Sequence, residues 1–358
     1  MGRSRGARRF AAAIVGAIVG VGGTLFAAGA VANCAGLQGA TVRWVVPSHA
    51  GGGYDAYSRL LQPFLEQRLG ARIVVENRPE AGGIVGAAQI RDARPDGATL
   101  GLINASGLLA VNVLEESRAP DPLTDFSLIG RVVSNHVVLF TGRDSGFSDI
   151  AALLEASQSR PVVVAVRDAG SAALFAVPVT ASLLNMPYEL VGGYSGSASR
   201  TLALIRGDVD IAVSHLDSVE GQVRSGELVP LLRISGPATL LPGVPGLGGP
   251  DGLAVQRAAL ARGPFPEAMQ AADDLAELIG AGRIVVAPPG LPASLQLCLE
   301  ETLSGALADP ALETAAQRAG LSLEPAGRAE TRAGLAAAAS SAERFRGLIR
   351  AAVAQTRE

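Results

Sequence analysis

Lysine is absent from this 358-residue chain, and all 30 of its basic side chains are arginines. With 44 glycines and heavy use of alanine, that reads as a bias of the coding sequence, not as a nucleic-acid surface. Past the N-terminus no run of basic residues occurs, so no nucleic-acid partner is expected. Charge of either sign is sparse: 18% of residues are charged and the net charge is −3, while 48% are apolar. Such a composition describes a folded globular body, not a disordered chain. The three histidines, His49, His136 and His215, lie far apart, and the two cysteines, Cys34 and Cys298, have no partner at ligand spacing. No metal site is expected from that set. Cys298 sits among Leu295, Leu299 and Leu303 at helical spacing, which favours a buried small hydrophobe. A Cys34–Cys298 disulfide stays chemically allowed outside the cytoplasm.

The chain opens with Arg3, Arg5, Arg8 and Arg9, followed by an apolar run from Phe10 to Ala32 that ends in "AVA". This is the pattern of an export signal over residues 1–32. The run is longer than a usual signal core, so a retained membrane anchor stands beside cleavage. Cys34 follows where a bacterial lipoprotein carries its acylated cysteine, although Asn33 departs from the usual small residue there.

The length allows two ordinary domains. Short apolar strands alternate with helical stretches, which indicates an α/β architecture. "TVRWVV" reads as a strand and "DAYSRLLQPFLEQRLG" as a helix with Tyr57, Leu60, Leu61, Phe64 and Leu65 on one face. Pro63 is expected to kink that helix. "ARIVVEN", "ATLGLIN", "HVVLF" and "RPVVVAV" read as further strands. "YELVGGYSGSASRTLALIRGDVDIAVSH" reads as strand, glycine-rich turn, helix and strand. Residues 236–252 form a long Pro/Gly-rich surface loop, and "ETRAGLAAAASSAERFRGLIRAAVAQ" reads as one long Ala-rich helix.

Three chemistries compete for the loop "PSHAGGGYD" (Pro47 to Asp55). Gly51-Gly52-Gly53-Tyr54-Asp55-Ala56 matches a loose dinucleotide fingerprint, with Glu76 as the ribose-binding acid. Export argues against that cofactor. Ser195 in "GGYSGSAS", with His215 and Asp217, provides the inventory of a serine hydrolase, but G-x-S-G is not the spacing of a nucleophile elbow. The third option is a small anion held by helix N-termini, where backbone N–H groups lack helical acceptors and glycine lets an oxygen come close. Such ends occur at 51–55, 82–86, 170–171 and 193–197, and capture by several of them needs no buried arginine.

The ordered motifs Pro47…Gly51-Gly52…Asp55, "VENRPEAGG" (75–83) and "PDGATL" (95–100) resemble the opening of the TctC/Bug solute receptors. These are extracytoplasmic binding components of tripartite tricarboxylate transporters. "PYELVGGYSGSASRTLALIRGDVDIAVS", "LLPGVPGL" and "VVAPPGLP" are similar to later segments of the same family, so the likeness covers residues 41 to about 320. The resemblance implies an α/β, two-lobed periplasmic-binding-protein fold of type II-like character, with two mixed sheets flanked by helices and a ligand cleft between the lobes. Residues 41–141 would begin the first lobe, 142–233 would form the second, and 234–358 would return to the first. The crossings are expected near Phe140–Gly142 and Arg233–Ser235.

The resemblance further implies a monomeric, non-enzymatic binding protein without cofactor, located outside the cytoplasm, and the place of Cys34 after the signal allows a lipid anchor there. It would deliver a small carboxylated solute to permease subunits or to a sensor kinase. By position, its ligand contacts would be Ser48, His49, Ala50, Gly51, Gly52, Gly53, Tyr54, Asn104 and Ser106 on one side. Gly170, Ser171, Gly193, Tyr194 and Ser195 would face them, and Asp55 would cap the helix. Ser48-His49, Tyr54 and Glu80 depart from the family pattern, and the only tryptophan is Trp44. His49 near an anion would make binding pH-dependent.

Overall fold

Val42, Trp44, Val45 and Val46 are all buried, so the first strand is covered on both faces, as strands of a parallel sheet must be. The computed structural model describes residues 34–114, 119–166, 172–260 and 265–355. From the N-terminal side the elements are β1 (Thr41–Val46), α1 (Gly53–Leu69), β2 (Arg72–Asn77), α2 (Ile84–Arg91), β3 (Thr99–Asn104), α3 (Ala105–Asn112) and β4 (Ser127–Val133). Next come β5 (Val137–Gly142), α4 (Ile150–Ala156), β6 (Val162–Ala165), α5 (Ala173–Leu184), β7 (Tyr188–Val191), α6 (Ser197–Arg206), β8 (Ile211–His215), α7 (Glu220–Arg224) and β9 (Leu228–Arg233). The chain continues with α8 (Leu253–Leu260), α9 (Phe265–Gly280), β10 (Arg283–Ala287), α10 (Ala293–Leu307), α11 (Pro310–Arg318), β11 (Ala326–Gly327), α12 (Arg328–Arg344) and α13 (Arg346–Gln355).

Two mixed sheets result, each the centre of one lobe. The first has the order β11-β4-β10-β3-β1-β2 and the second β7-β6-β8-β5-β9. β1 runs parallel to both β2 and β3, and β6 runs parallel to both β7 and β8. Each lobe thus repeats one strand–helix–strand–helix–strand unit. Each unit is then flanked by an antiparallel strand, β10 beside β3 and β5 beside β8. In this arrangement the carboxyl ends of β1, β3, β6 and β7 feed helix starts, the place where open α/β sheets bind ligands.

In α1 the buried residues Tyr57, Leu61, Leu65 and Leu69 recur every four positions, and the helix continues through Pro63 for 17 residues. The largest apolar cluster takes in Val45, Ile103 and Ile284 of the first sheet and Val137, Val164 and Val213 of the second. α5, α9, α12 and α13 contribute the side chains between them.

Several expectations change. β5 pairs with β8 and β9, so the chain leaves the first sheet at residues 134–136, ahead of the Phe140–Gly142 position. Strand pairing places that step there because the whole of "VVLFTG" is a buried member of the second sheet. α13 packs against α5 and β7, so the returning segment is not confined to the first lobe. The C-terminal helix is broken at Phe345, whose side chain is turned into the core. Cys298 is not a lone buried hydrophobe: it forms a disulfide with Cys34, at a Cα–Cα distance of 5.7 Å. A sulfur so bonded has no thiol to acylate, which corrects the lipid-anchor expectation for this structure. The export signal, residues 1–32, lies outside the described residues. Among those described, no helix is long and apolar enough to cross a membrane.

Candidate functional site

The loop between β1 and α1 is fixed from below. Asn77 Nδ2 donates to the Ser48 carbonyl at 3.1 Å, and the Gly51 N–H donates to Asp55 Oδ2 at 2.9 Å. Gly83 must lack a side chain here, because a Cβ on it would stand 2.4 Å from the Pro47 carbonyl oxygen. Its close packing explains the second glycine cluster as a support and not as a ligand site. The helix cap is Gly52, not Asp55. Asp55 lies in the first turn of α1, where it accepts from Gly51 and from Arg59 Nε at 3.0 Å. Burial acts to raise its pKa, but these hydrogen bonds and the Arg59 charge hold it below the ordinary carboxylate value.

A cavity of about 300 Å³ opens above this loop, between the two sheets' helix starts. Ser48, His49, Ala50, Gly51, Gly52, Gly53, Tyr54 and Asn104 line it from the first lobe, and Ser195 from the second. Of the remaining expected contacts, Ser106, Gly193 and Tyr194 do not line it. Ser106 is buried and donates to Asn104 Oδ1 at 3.0 Å, so it orients the asparagine. Asn104 also accepts the Gly107 N–H as the cap of α3. Gly170 and Ser171 lie outside the described residues.

The second lobe contributes more than the sequence indicated. Gly196, Ser197, Ala198, Ser199 and Arg200, the start of α6, line the same cavity, with Ser214, His215 and Ser218. Ser199 Oγ accepts the Gly196 N–H at 3.2 Å and donates to its carbonyl, which fixes the turn. Arg200 is 8% exposed and donates from Nη2 to Ser214 Oγ at 2.7 Å. A buried guanidinium therefore stands at a site for which none seemed required. Nothing in a single sequence separates such an arginine from the surface ones around it.

Behind the cavity wall lies an ion pair between the lobes. Arg283, from β10 in the first sheet, is fully buried. Its Nη1 and Nη2 both donate to the carboxylate of Asp217, which follows β8 of the second sheet. The guanidinium is stacked 4.8 Å from the Tyr54 ring centroid and 4.5 Å from that of Tyr57. Burial by itself would raise the Asp217 pKa, but the Arg283 charge and hydrogen bonds hold it well below the ordinary value. Tyr54 meets the His215 ring edge-on, with centroids 6.2 Å apart. A second cavity, about 460 Å³, lies by Asp217, where Leu216, Val223, Leu240, Leu241 and Leu321 line it together with His136, Glu220, Arg224 and Gln317. The smaller cavity is the one on which the starts of α1 and α6 converge, which makes it the candidate site.

Two competing chemistries lose support on this geometry. Glu76, the ribose-binding acid of a dinucleotide site, is tied to Arg43 at 2.9 Å and Arg78 at 3.2 Å and borders a different surface hollow. Asp217, the acid of a Ser195–His215 triad, is committed to Arg283. Among the described residues no cluster of His, Cys, Asp and Glu is able to hold a metal ion.

Residues 57–248 match the family model described as the tripartite tricarboxylate transporter family receptor, TctC. The chain belongs to the TctC family. A relative from Pseudomonas sp. strain P51, the UPF0065 protein in the tcbD-tcbE intergenic region, is 31% identical over 224 residues. That alignment covers 59% of this chain and 63% of the relative, so the match spans under two thirds of the relative's length. Among solved structures, MatC from Rhodopseudomonas palustris with bound malate is similar at a TM-score of 0.67 and 23% identity, covering 87% of this chain and 99% of that one. R. palustris Rpa4515 with adipate gives 0.70 and 21%, covering 87% and 97%. At these identities the structures show a shared fold, that of periplasmic binding proteins.

Proposed function

We propose that this TctC-family chain captures a small carboxylated solute in the 300 Å³ cavity and delivers it to the permease of a tripartite tricarboxylate-type transporter. The observation that carries the reading is the convergence of two helix starts, α1 from one lobe and α6 from the other, on one cavity. First-turn amides have no acceptor within their own helix and carry a partial positive charge, so an oxyanion is their natural partner. Three or four such charge-assisted bonds at about 1.5–3 kcal/mol each reach the roughly 8 kcal/mol of a micromolar site before entropic costs. Ser197, Asn104 and Arg200 add side-chain donors. The volume suits a compact acid, and the malate and adipate carried by two structural relatives are of that size class.

The family and fold support a location outside the cytoplasm and a binding role without turnover. A thermal-shift screen of malate, adipate, amino acids and aromatic acids tests the reading. At least one carboxylate raises the melting temperature, while its neutral amide does not. A screen in which only NAD or nucleotides shift the melt overturns it.

A further inference from the structure

Arg283 does not line the cavity, yet it packs against Tyr54 and lies beside Gly53, both of which do. Its guanidinium is 4.8 Å from the Tyr54 ring, and Tyr54 lines the cavity. On its other side Tyr57 packs at 4.5 Å, and the Tyr57 hydroxyl is anchored to the Ser322 carbonyl at 2.7 Å. The guanidinium fork is closed by Asp217 of the other lobe. Ser218, next to Asp217, lines the cavity itself and donates to Asp217 Oδ1 at 3.1 Å. The first helical residue of α1 is held in the same cluster: a Cβ on Gly53 would lie 2.8 Å from Ser218 Oγ and 3.0 Å from Arg283 Nη2.

The cluster also reaches the chain's passage between the lobes. The Leu216 N–H donates to the His136 carbonyl at 2.8 Å, in the 134–136 segment that links the first sheet to the second. Asp217 therefore hangs from the hinge, while Arg283 is a central-sheet residue of the opposite lobe. A planar, always charged fork held by a bidentate carboxylate has one preferred geometry. A change in lobe angle must then be felt by the arginine, and through it by Tyr54 and the amides of α1.

We infer that Arg283 is a positioning residue of the solute site, which couples the placement of Tyr54 and the α1 start to the joining of the lobes through Asp217. Solute affinity then depends on an ion pair the solute does not touch. This rests on the solute-capture reading for its affinity arm, and an arm without solute keeps the two apart.

The test uses the full chain with Asp217→Asn, Asp217→Glu, Arg283→Lys, Tyr54→Leu and the Asp217→Asn/Tyr54→Leu double variant. Titration calorimetry with malate and adipate gives Kd, and amide hydrogen exchange is followed without solute. Asp217→Asn weakens the bound probe about tenfold, within the usual range of coupling between sites, chiefly by faster release. Asp217→Glu restores part of that loss. Tyr54→Leu costs a similar factor, and the double variant is less than about twofold worse than either single one. Without solute, exchange quickens in residues 53–57 and 216–218 of Asp217→Asn but not in β6, a pattern that general destabilisation would not give. Unchanged exchange at 53–57, a Kd equal to wild type, or losses that multiply overturn the inference. If the wild type binds neither probe, that counts against the solute reading, and the exchange arm still decides the role of Arg283. Should Asp217→Asn fail to fold, Arg283→Lys, which keeps the charge and removes the fork, is read in the same way.

Discussion

Gly53→Ala is the sharpest single perturbation of the wall behind the site. At the first position of α1, alanine should help: it relieves the entropy glycine loses on folding, a gain of about 0.5–1 kcal/mol. The packing opposes it. The added methyl carbon would stand 2.8 Å from Ser218 Oγ, 3.0 Å from Arg283 Nη2 and 3.5 Å from Arg283 Cζ. Arg283 has no room to move, being fully buried against two rings and a carboxylate, and Ser218 can turn toward the cavity only by giving up its bond to Asp217. Overpacking of this kind costs about 1–3 kcal/mol, which after the helical gain leaves a net destabilisation centred on about 1.2 kcal/mol and of at most about 2.5 kcal/mol. For a urea slope of about 3 kcal/mol per molar, the midpoint falls by about 0.4 M and at most about 0.8 M. Gly334→Ala is the control, because a Cβ there meets nothing within 4 Å inside α12. Its midpoint equals or exceeds that of the wild type. A Gly53→Ala protein as stable as wild type, or more so, would refute the reasoning about this wall.

Acidification tests the buried pair from another side. Because Asp217 titrates below its unfolded value, its stabilisation is fully present above about pH 4 and is lost as pH falls through the folded value. Asp55, Glu76 and Asp210, also lowered, contribute in the same direction. Urea midpoints should therefore be lower at pH 3 than at pH 6, with a smaller difference in Asp217→Asn; a wild-type protein more stable at pH 3 contradicts this. The Cys34–Cys298 bond closes a span of 264 residues. Cys298→Ser, or reduction by dithiothreitol, should lower stability by about 2–4 kcal/mol, and no change in the melting curve would show that the bond is not made in solution. For Ser195→Ala, no loss of hydrolytic turnover is expected, because no turnover is expected in the parent; a measurable esterase rate abolished by this substitution would restore the hydrolase reading.

The sequence carried the parallel half of each lobe clearly. Strand, glycine loop and helix follow one another within about 30 residues there, and the loop "PSHAGGGYD" declares a close backbone approach. The antiparallel additions were less legible. β10 is a five-residue run whose partners, β3 and β4, lie more than a hundred residues upstream, and nothing local announces that pairing. The same holds for the interlobe pair: Asp217 and Arg283 are 66 positions apart, and in a chain whose only basic residue is arginine a buried one has no mark of its own. The start of α6 was placed correctly as a helix end, but the cavity is lined by Gly196–Arg200 and not by Gly193 and Tyr194. The break at Phe345 was hidden for a physical reason: the nearby glycine, Gly347, falls inside α13 and not at the break, which is held by a buried phenylalanine.

The central claim is that backbone amides at two helix starts hold a carboxylate together. Amide NMR during titration with malate or adipate tests it most directly. Signals of Gly53 and Tyr54 in α1 and of Ser197, Ala198 and Ser199 in α6 should shift in parallel and fit a single Kd. Shifts confined to Leu216–Arg224, around the 460 Å³ cavity, or limited to one of the two helix starts, would contradict the account.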